Sequence, residues 1–120
     1  MSKKTLVLGA SENPSRYSNM AINRLRRYGH EVVAVGLREG QVLDVPIQTG
    51  RPEMKDIDTV TLYMNPGNQE SYLDYIISLN PKRIIFNPGT ENQKLVGLAM
   101  EKDIDPVYGC TLVMLGSGQY

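Results

Sequence analysis

Thr5-Leu6-Val7-Leu8-Gly9-Ala10-Ser11-Glu12-Asn13-Pro14 is the stretch on which the fold turns. A short run of strand formers breaks at a glycine and gives way to a small, polar turn. Such a run, bounded by turn residues and apolar without alternation, has the form of a strand buried on both faces of a parallel sheet. From Ser18 the period changes. Ala21, Ile22, Leu25 and Tyr28 fall on one helical face, and Gly29 can end that helix in the left-handed conformation. Glu31 to Val35 then returns to strand character. Strand, turn, helix and strand in this order make a βαβ unit.

The alternation continues outward. Thr59 to Met64 is a third strand, ending at Asn65-Pro66-Gly67, and a helix from Gln69 to Leu79 shows Tyr72, Leu73, Ile76 and Ile77 on one face before Asn80-Pro81 stops it. Arg83 to Phe86 is the fourth strand and ends in the same tripeptide, Asn87-Pro88-Gly89. Thr90-Glu91-Asn92-Gln93 has the form of a capping box, with Thr90 as the cap and Gln93 reaching back, ahead of a helix face of Leu95, Leu98 and Ala99. Pro106 to Cys110 is the fifth strand, and Leu112 to Leu115 is an apolar tail. Residues 37–56 are less periodic: Val45-Pro46-Ile47 reads as a short extended piece and Pro52 to Lys55 as a single helical turn. The expectation is a three-layer α/β, Rossmann-like domain over residues 1–120, with a mainly parallel five-stranded sheet in the order 3-2-1-4-5.

A chain of 120 residues with 41% apolar and 22% charged side chains is an ordinary globular composition of single-domain size. Thirteen basic residues against thirteen acidic ones remove the electrostatic signature of a nucleic-acid binder. The balance is uneven along the chain. Residues 1–51 hold eight basic side chains against four acidic, a net of +4, whereas residues 52–120 hold five against nine, a net of −4. An anionic ligand would prefer groups from the first half. Cys110 is the sole cysteine and cannot form an intramolecular disulfide, which favours a reducing, cytoplasmic home. The apolar run after Met1-Ser2-Lys3-Lys4 stops at Gly9, too short for a signal-peptide core, and nothing reaches the ~18 apolar residues that span a bilayer. Neither a membrane nor nucleic acid is expected as a partner.

In an open parallel sheet, ligands bind beyond the carboxyl ends of the strands. Here those ends carry Gly9 to Pro14, Gly36-Leu37-Arg38, Asn65-Pro66-Gly67 and Asn87-Pro88-Gly89. Small residues let a ligand approach the backbone, and the N–H groups that open the following helices favour phosphate. A nucleotide-like ligand follows. The first turn keeps only the first glycine of the dinucleotide fingerprint G-x-G-x-x-G, with Ser11 and Pro14 at the other two positions. After the second strand an NAD enzyme carries an acidic residue for the ribose, whereas this chain offers Arg38, a group suited to a phosphate on the adenosine ribose. NADP and coenzyme A both carry one.

Gly9-Ala10-Ser11, Asn13-Pro14, Arg16 and Ser18, with a helix ending Tyr28-Gly29-His30, resemble the small single-domain CoA-binding proteins, themselves similar to the N-terminal domain of the succinyl-CoA synthetase α subunit. The resemblance covers nearly the whole chain in length and element order. It implies that Gly9, Ala10, Ser11, Pro14, Arg16 and Ser18 embrace the pyrophosphate, and that Arg38, after the turn glycine Gly36, falls where the family keeps a basic residue following the second strand; the family's usual Asn-Pro there is Gly36-Leu37 in this chain. Met64, Asn65 and Pro66 would flank the adenine, and Asn87, Pro88 and Gly89 would line the pantetheine exit.

No Ser/His/Asp set, paired carboxylates or metal-ligand spacing accompanies these turns, so no catalytic or metal residue is assigned. His30 reads as a structural surface residue in a helix-to-strand turn. Cys110 reads as a small core hydrophobe; Tyr72 and Tyr75 belong to a helix, where packing explains Tyr72 at least as well as base stacking does. Asp56 and Asp58 fall at the amino end of the third strand, a place for capping or solvation. The expected function is binding of coenzyme A or an acyl-CoA without catalysis, as a carrier, sensor or regulatory module. The alternatives are an NADP-dependent reductase or a subunit of a CoA ligase, and an interaction module that has lost its ligand. The apolar tail must fold back or pair with another subunit, which points to a homodimer or a larger protein partner.

Overall fold

A computed structural model describes residues 2–120. The first strand, β1 (Thr5–Ala10), is buried along almost its whole length, as a central parallel strand must be. Helix α1 (Tyr17–Arg27) buries Ser18, Asn19, Ala21, Ile22 and Leu25. It ends in a Schellman closure: Gly29 sits at φ +83°, its N–H bonds the Arg26 carbonyl, and the His30 N–H bonds the Leu25 carbonyl. Tyr28, placed by its spacing on the apolar face, is half-exposed because it lies at the cap, where the helical period no longer holds.

Beyond β2 (Val32–Gly36) the chain makes a hairpin, β3 (Gly40–Val42) and β4 (Val45–Gln48), before β5 (Thr59–Leu62). The helical stretch after β5 is broken into α2 (Pro66–Gln69), a 3₁₀ turn (Glu70–Tyr72) and α3 (Leu73–Ser78), so it begins three residues earlier than the periodicity implied. Pro66 occupies the first helical turn, where its missing N–H costs nothing. Strand β6 (Arg83–Phe86), helix α4 (Gln93–Glu101), strand β7 (Asp105–Tyr108) and helix α5 (Thr111–Gly116) complete the chain. Pro52 to Lys55 forms no helical turn.

The sheet has seven strands in the order β3-β4-β2-β1-β5-β6-β7, all parallel except the β3–β4 pair. This corrects the five-stranded expectation in count and order. The strand from Thr59 lies beside β1, with Leu6 opposite Val60, and not beyond β2. That outer place is taken by the hairpin, whose β4 pairs Ile47 with Ala34 of β2. The extended piece at Val45-Pro46-Ile47 is β4, but β3 and the pairing of the two were not legible because the two-residue turn, Leu43-Asp44, lacks the usual turn glycine, although Leu43 adopts φ +53°. Tertiary contacts hold it instead: the Arg26 guanidinium grips Asp44 in a two-pronged pair at 3.0 and 2.7 Å.

Alternate side chains of β1 feed two cores. Leu6 and Leu8 join Val60, Leu62, Ile76, Ile84, Phe86 and Leu95 on one face, and Val7 joins Ile22, Leu25, Ala34, Ile47 and Leu115 on the other. Leu112 to Leu115, expected as a tail that might seek a partner, is part of α5 and packs back on α1, with Leu115 buried. No helix among the described residues is long and apolar enough to cross a membrane.

Candidate functional site

The carboxyl edge of the sheet opens into a cleft of about 1160 Å³. Its floor begins at Gly9, which adopts φ +99°; a Cβ there would lie 2.9 Å from the Tyr63 carbonyl carbon and oxygen. The residue must be glycine on both counts. The turn that follows is built from its own side chains. The Asn13 N–H bonds Ser11 Oγ at 3.1 Å, Ser15 donates its N–H and hydroxyl to Asn13 Oδ1, and the buried Asn19 donates from Nδ2 to the Ser11 carbonyl at 3.0 Å. Arg16 is the N-cap residue of α1 and Ser18 lies in its first turn, so the opening of the helix faces the cleft.

The opposite wall comes from the loops after β5 and β6. Asn65 caps α2 by accepting the Asn68 N–H at 2.9 Å. The fully buried Gln69 donates to the Met64 and Thr90 carbonyls at 2.8 Å each and accepts from Asn92 Nδ2 at 2.9 Å, tying the two loops together. Thr90 does not form the expected capping box: its hydroxyl bonds the Asn87 carbonyl, and α4 is capped by Asn92, which accepts from Lys94 and Leu95.

Of the fourteen residues singled out from the sequence, ten line the cleft: Gly9, Ala10, Ser11, Arg16, Ser18, Arg38, Met64, Asn65, Pro88 and Gly89. The other four do not line it. Pro14 is exposed in the first turn and Pro66 starts α2. Gly36 pairs with Ala10, and any Cβ on it would collide with the Ala10 carbonyl oxygen. Asn87 is buried and donates to Thr61 Oγ1 and the Leu62 carbonyl at 2.7 and 2.8 Å while accepting the Thr111 N–H at 2.9 Å, so it ties β5, β6 and α5 together.

Charge at the cleft is mixed. Arg16 and Arg38 are exposed and make no ion pair or side-chain hydrogen bond among the described residues. Both come from the positive half of the chain. Glu70 is held by Lys94 at 2.8 Å, and Glu12 accepts the Gln41 N–H at 2.9 Å. Burial pushes the Tyr63 phenol up to about 12, and its hydroxyl has no hydrogen-bond partner among the described residues. The sequence reading missed Glu12, Tyr63 and Asn19, whose roles depend on neighbours distant in sequence. Tyr72 packs half-buried against the first core, as its helical position implied, and it also lines the cleft, with the Arg51 guanidinium 5.1 Å from its ring centre.

Two further placements differ from expectation. Cys110 is half-buried, follows β7 and opens α5, so it is neither in the strand nor in the core. His30 is structural but buried, at the opposite edge of the sheet, where its Nδ1 accepts the Lys3 N–H at 2.9 Å.

A model of the family described as CoA binding domain matches residues 3–116. The chain belongs to this family. No curated protein sequence matches it. Among solved structures, this CoA binding domain is similar to one described as an uncharacterized protein, with 52% identity and a TM-score of 0.97 over 100% of this chain and 99% of that one. A Thermus thermophilus structure shares 19% identity at a TM-score of 0.86, covering 99% and 91% of the two chains. The fold also recurs within acetyl-coenzyme A synthetase 1 of Ca. Korarchaeum cryptofilum, solved with phosphate and ADP: 16% identity, TM-score 0.73, 91% of this chain but 26% of that one.

Proposed function

We propose that this CoA binding domain holds coenzyme A or an acyl-CoA in the cleft and does no chemistry itself, serving as a carrier, sensor or regulatory module in the cytoplasm. One observation carries the reading: two unpaired guanidinium groups, Arg16 and Arg38, stand on a cleft whose floor is a glycine turn at the opening of a helix. Arg16 and the Gly9–Ser11 turn, with Ser18, take the pyrophosphate. Arg38 takes the ribose 3′-phosphate, Met64 and Asn65 the adenine side, and Pro88 with Gly89 the pantetheine exit. Two of the carboxylates on the cleft are already engaged, Glu12 by the Gln41 N–H and Glu70 by Lys94, which supports binding over catalysis.

A homodimer or a larger partner belongs to the same proposal. The apolar tail itself folds onto α1 with Leu115 buried, and Val113 of α5 stays exposed for such a contact. Light scattering that finds only monomer at high concentration removes the homodimer.

A thermal-shift panel of CoA, acetyl-CoA, dephospho-CoA, NAD and NADP tests the ligand. A ligand at 100 times its Kd adds about 2.7 kcal/mol, and CoA or acetyl-CoA should give the largest shift. Stabilisation by NADP alone would overturn the CoA assignment in favour of the reductase reading, and no shift from any of them would favour an interaction module that has lost its ligand.

A further inference from the structure

Resting on the reading of the cleft as a CoA site, we infer that Glu12 is the positioning residue for recognition of the 3′-phosphate, because its carboxylate clamps the loop that bears Arg38 against the β1–α1 turn. The loop Leu37-Arg38-Glu39 is only three residues long, between β2 and β3. Its entry, Gly36, lies so close to Ala10 that a side chain there would strike the Ala10 carbonyl. Its exit is held by Glu12: Oε2 accepts the Gln41 N–H at 2.9 Å, and the carboxyl group folds over Gly40, where a Cβ would collide with Glu12 Cδ. Both ends of the Arg38 loop therefore lean on the turn that carries Arg16. Two cations from different loops are thereby held in a fixed relation on one cleft, as a ligand with two separated phosphate groups requires.

A carboxylate beside a phosphate subsite runs against simple charge complementarity. Its engagement with Gln41 accounts for its presence. The two roles of Glu12, charge and clamp, predict opposite outcomes on removal. Loss of a negative charge alone strengthens binding of every anion, and of CoA more than of dephospho-CoA, so preference for the 3′-phosphate rises. Loss of the clamp frees the Arg38 loop, so that preference falls.

Calorimetric titration of CoA and dephospho-CoA onto the wild-type protein, Glu12→Ala, Glu12→Gln and Gly40→Ala decides the matter. Gly40→Ala keeps the charge but evicts the carboxyl group, and Glu12→Gln keeps an oxygen that can accept from Gln41. The wild type should prefer CoA by about tenfold or more, as expected of a charge-assisted contact. That preference should fall at least about threefold in Glu12→Ala and Gly40→Ala and survive in Glu12→Gln, while affinity for dephospho-CoA stays within about twofold of the wild type in Gly40→Ala, which keeps the charge. An unchanged or raised preference in either clamp-breaking variant overturns the inference while leaving the CoA reading intact. A wild type that does not distinguish the two ligands overturns the assignment of the 3′-phosphate and Glu12's role with it. Should Glu12→Ala fail to fold, Gly40→Ala carries the same test alone.

Discussion

Arg38 is the residue on which the choice of ligand rests, and its contribution can be isolated. Truncation to Ala should cost CoA binding about 1.5–3 kcal/mol, a loss of roughly ten- to a hundred-fold. Dephospho-CoA should bind the unmodified protein more weakly by a similar amount, and the two losses should not add, since each removes the same contact. Arg16→Ala should weaken both ligands about equally. Additive losses for Arg38 in calorimetry would show that it does not read the 3′-phosphate. At the opposite edge of the sheet, His30 is held neutral: burial, then the charge of Lys3, pull its pKa below the ordinary value. A base whose folded pKa is depressed binds fewer protons folded than unfolded, so its stabilisation is complete above the unfolded pKa of about 6.5 and is lost as pH falls through that value toward the folded one. Melting temperature should therefore be flat from pH 8 to 7 and fall on acidification, with a shallower fall in His30→Gln. Equal slopes in the two proteins would refute the assignment. Arg38 was legible as a residue, because a lone basic side chain after a strand stands out. The buried state of His30 was not, because it depends on Lys3, whose position only the fold supplies.

At the level of elements, helix α4 separates local pattern from tertiary choice. Thr90 and Gln93 have the spacing of a capping box, yet the helix starts at Gln93 and Asn92 caps it. The reason lies in the loop. Thr90 turns its hydroxyl to the Asn87 carbonyl, and Asn92 also donates to the buried Gln69, so the network joining the β5 and β6 loops selects the start of the helix. Asn92→Ala should cost about 1 kcal/mol or more, from the lost cap and from the loss of one partner of Gln69, whereas Gln93→Ala should stay within about 0.5 kcal/mol. Urea unfolding of the two variants reads the difference, and equal costs would restore the capping box. Strand ends and turns at Gly9, Asn65 and Pro88 were recognisable from residue type alone. Asn87, part of the same tripeptide as Pro88, was not separable from it, since only burial turns it away from the cleft.

For the whole molecule, closure of the second core depends on α5. Leu115 is 3% exposed and packs with Ile22, Leu25 and Val42, so Leu115→Ala should cost about 2–4 kcal/mol despite its place near the end of the chain. Chemical denaturation measures this, and a change below about 0.5 kcal/mol would mean that the segment is peripheral. The α/β class, the mainly parallel sheet, five of its strands and the cluster of turns at their carboxyl ends follow from local features: runs apolar on both faces, helical spacing between them, and glycine, proline and asparagine at the turns. Two things were settled only in three dimensions. The β3–β4 hairpin is held by Arg26 on Asp44 and by Glu12 on Gln41, contacts between segments remote in sequence. The order of the strands depends on which face of the sheet each helix covers. A strand apolar on both sides does not specify its neighbours, and a right-handed crossover leads to either side of β1 according to the face its helix takes. That choice is made by packing, through Ile22 and Leu25 on one side and Ile76 and Leu95 on the other, and it puts β5 beside β1 so that the loops of β1, β2, β5 and β6 meet around one cleft.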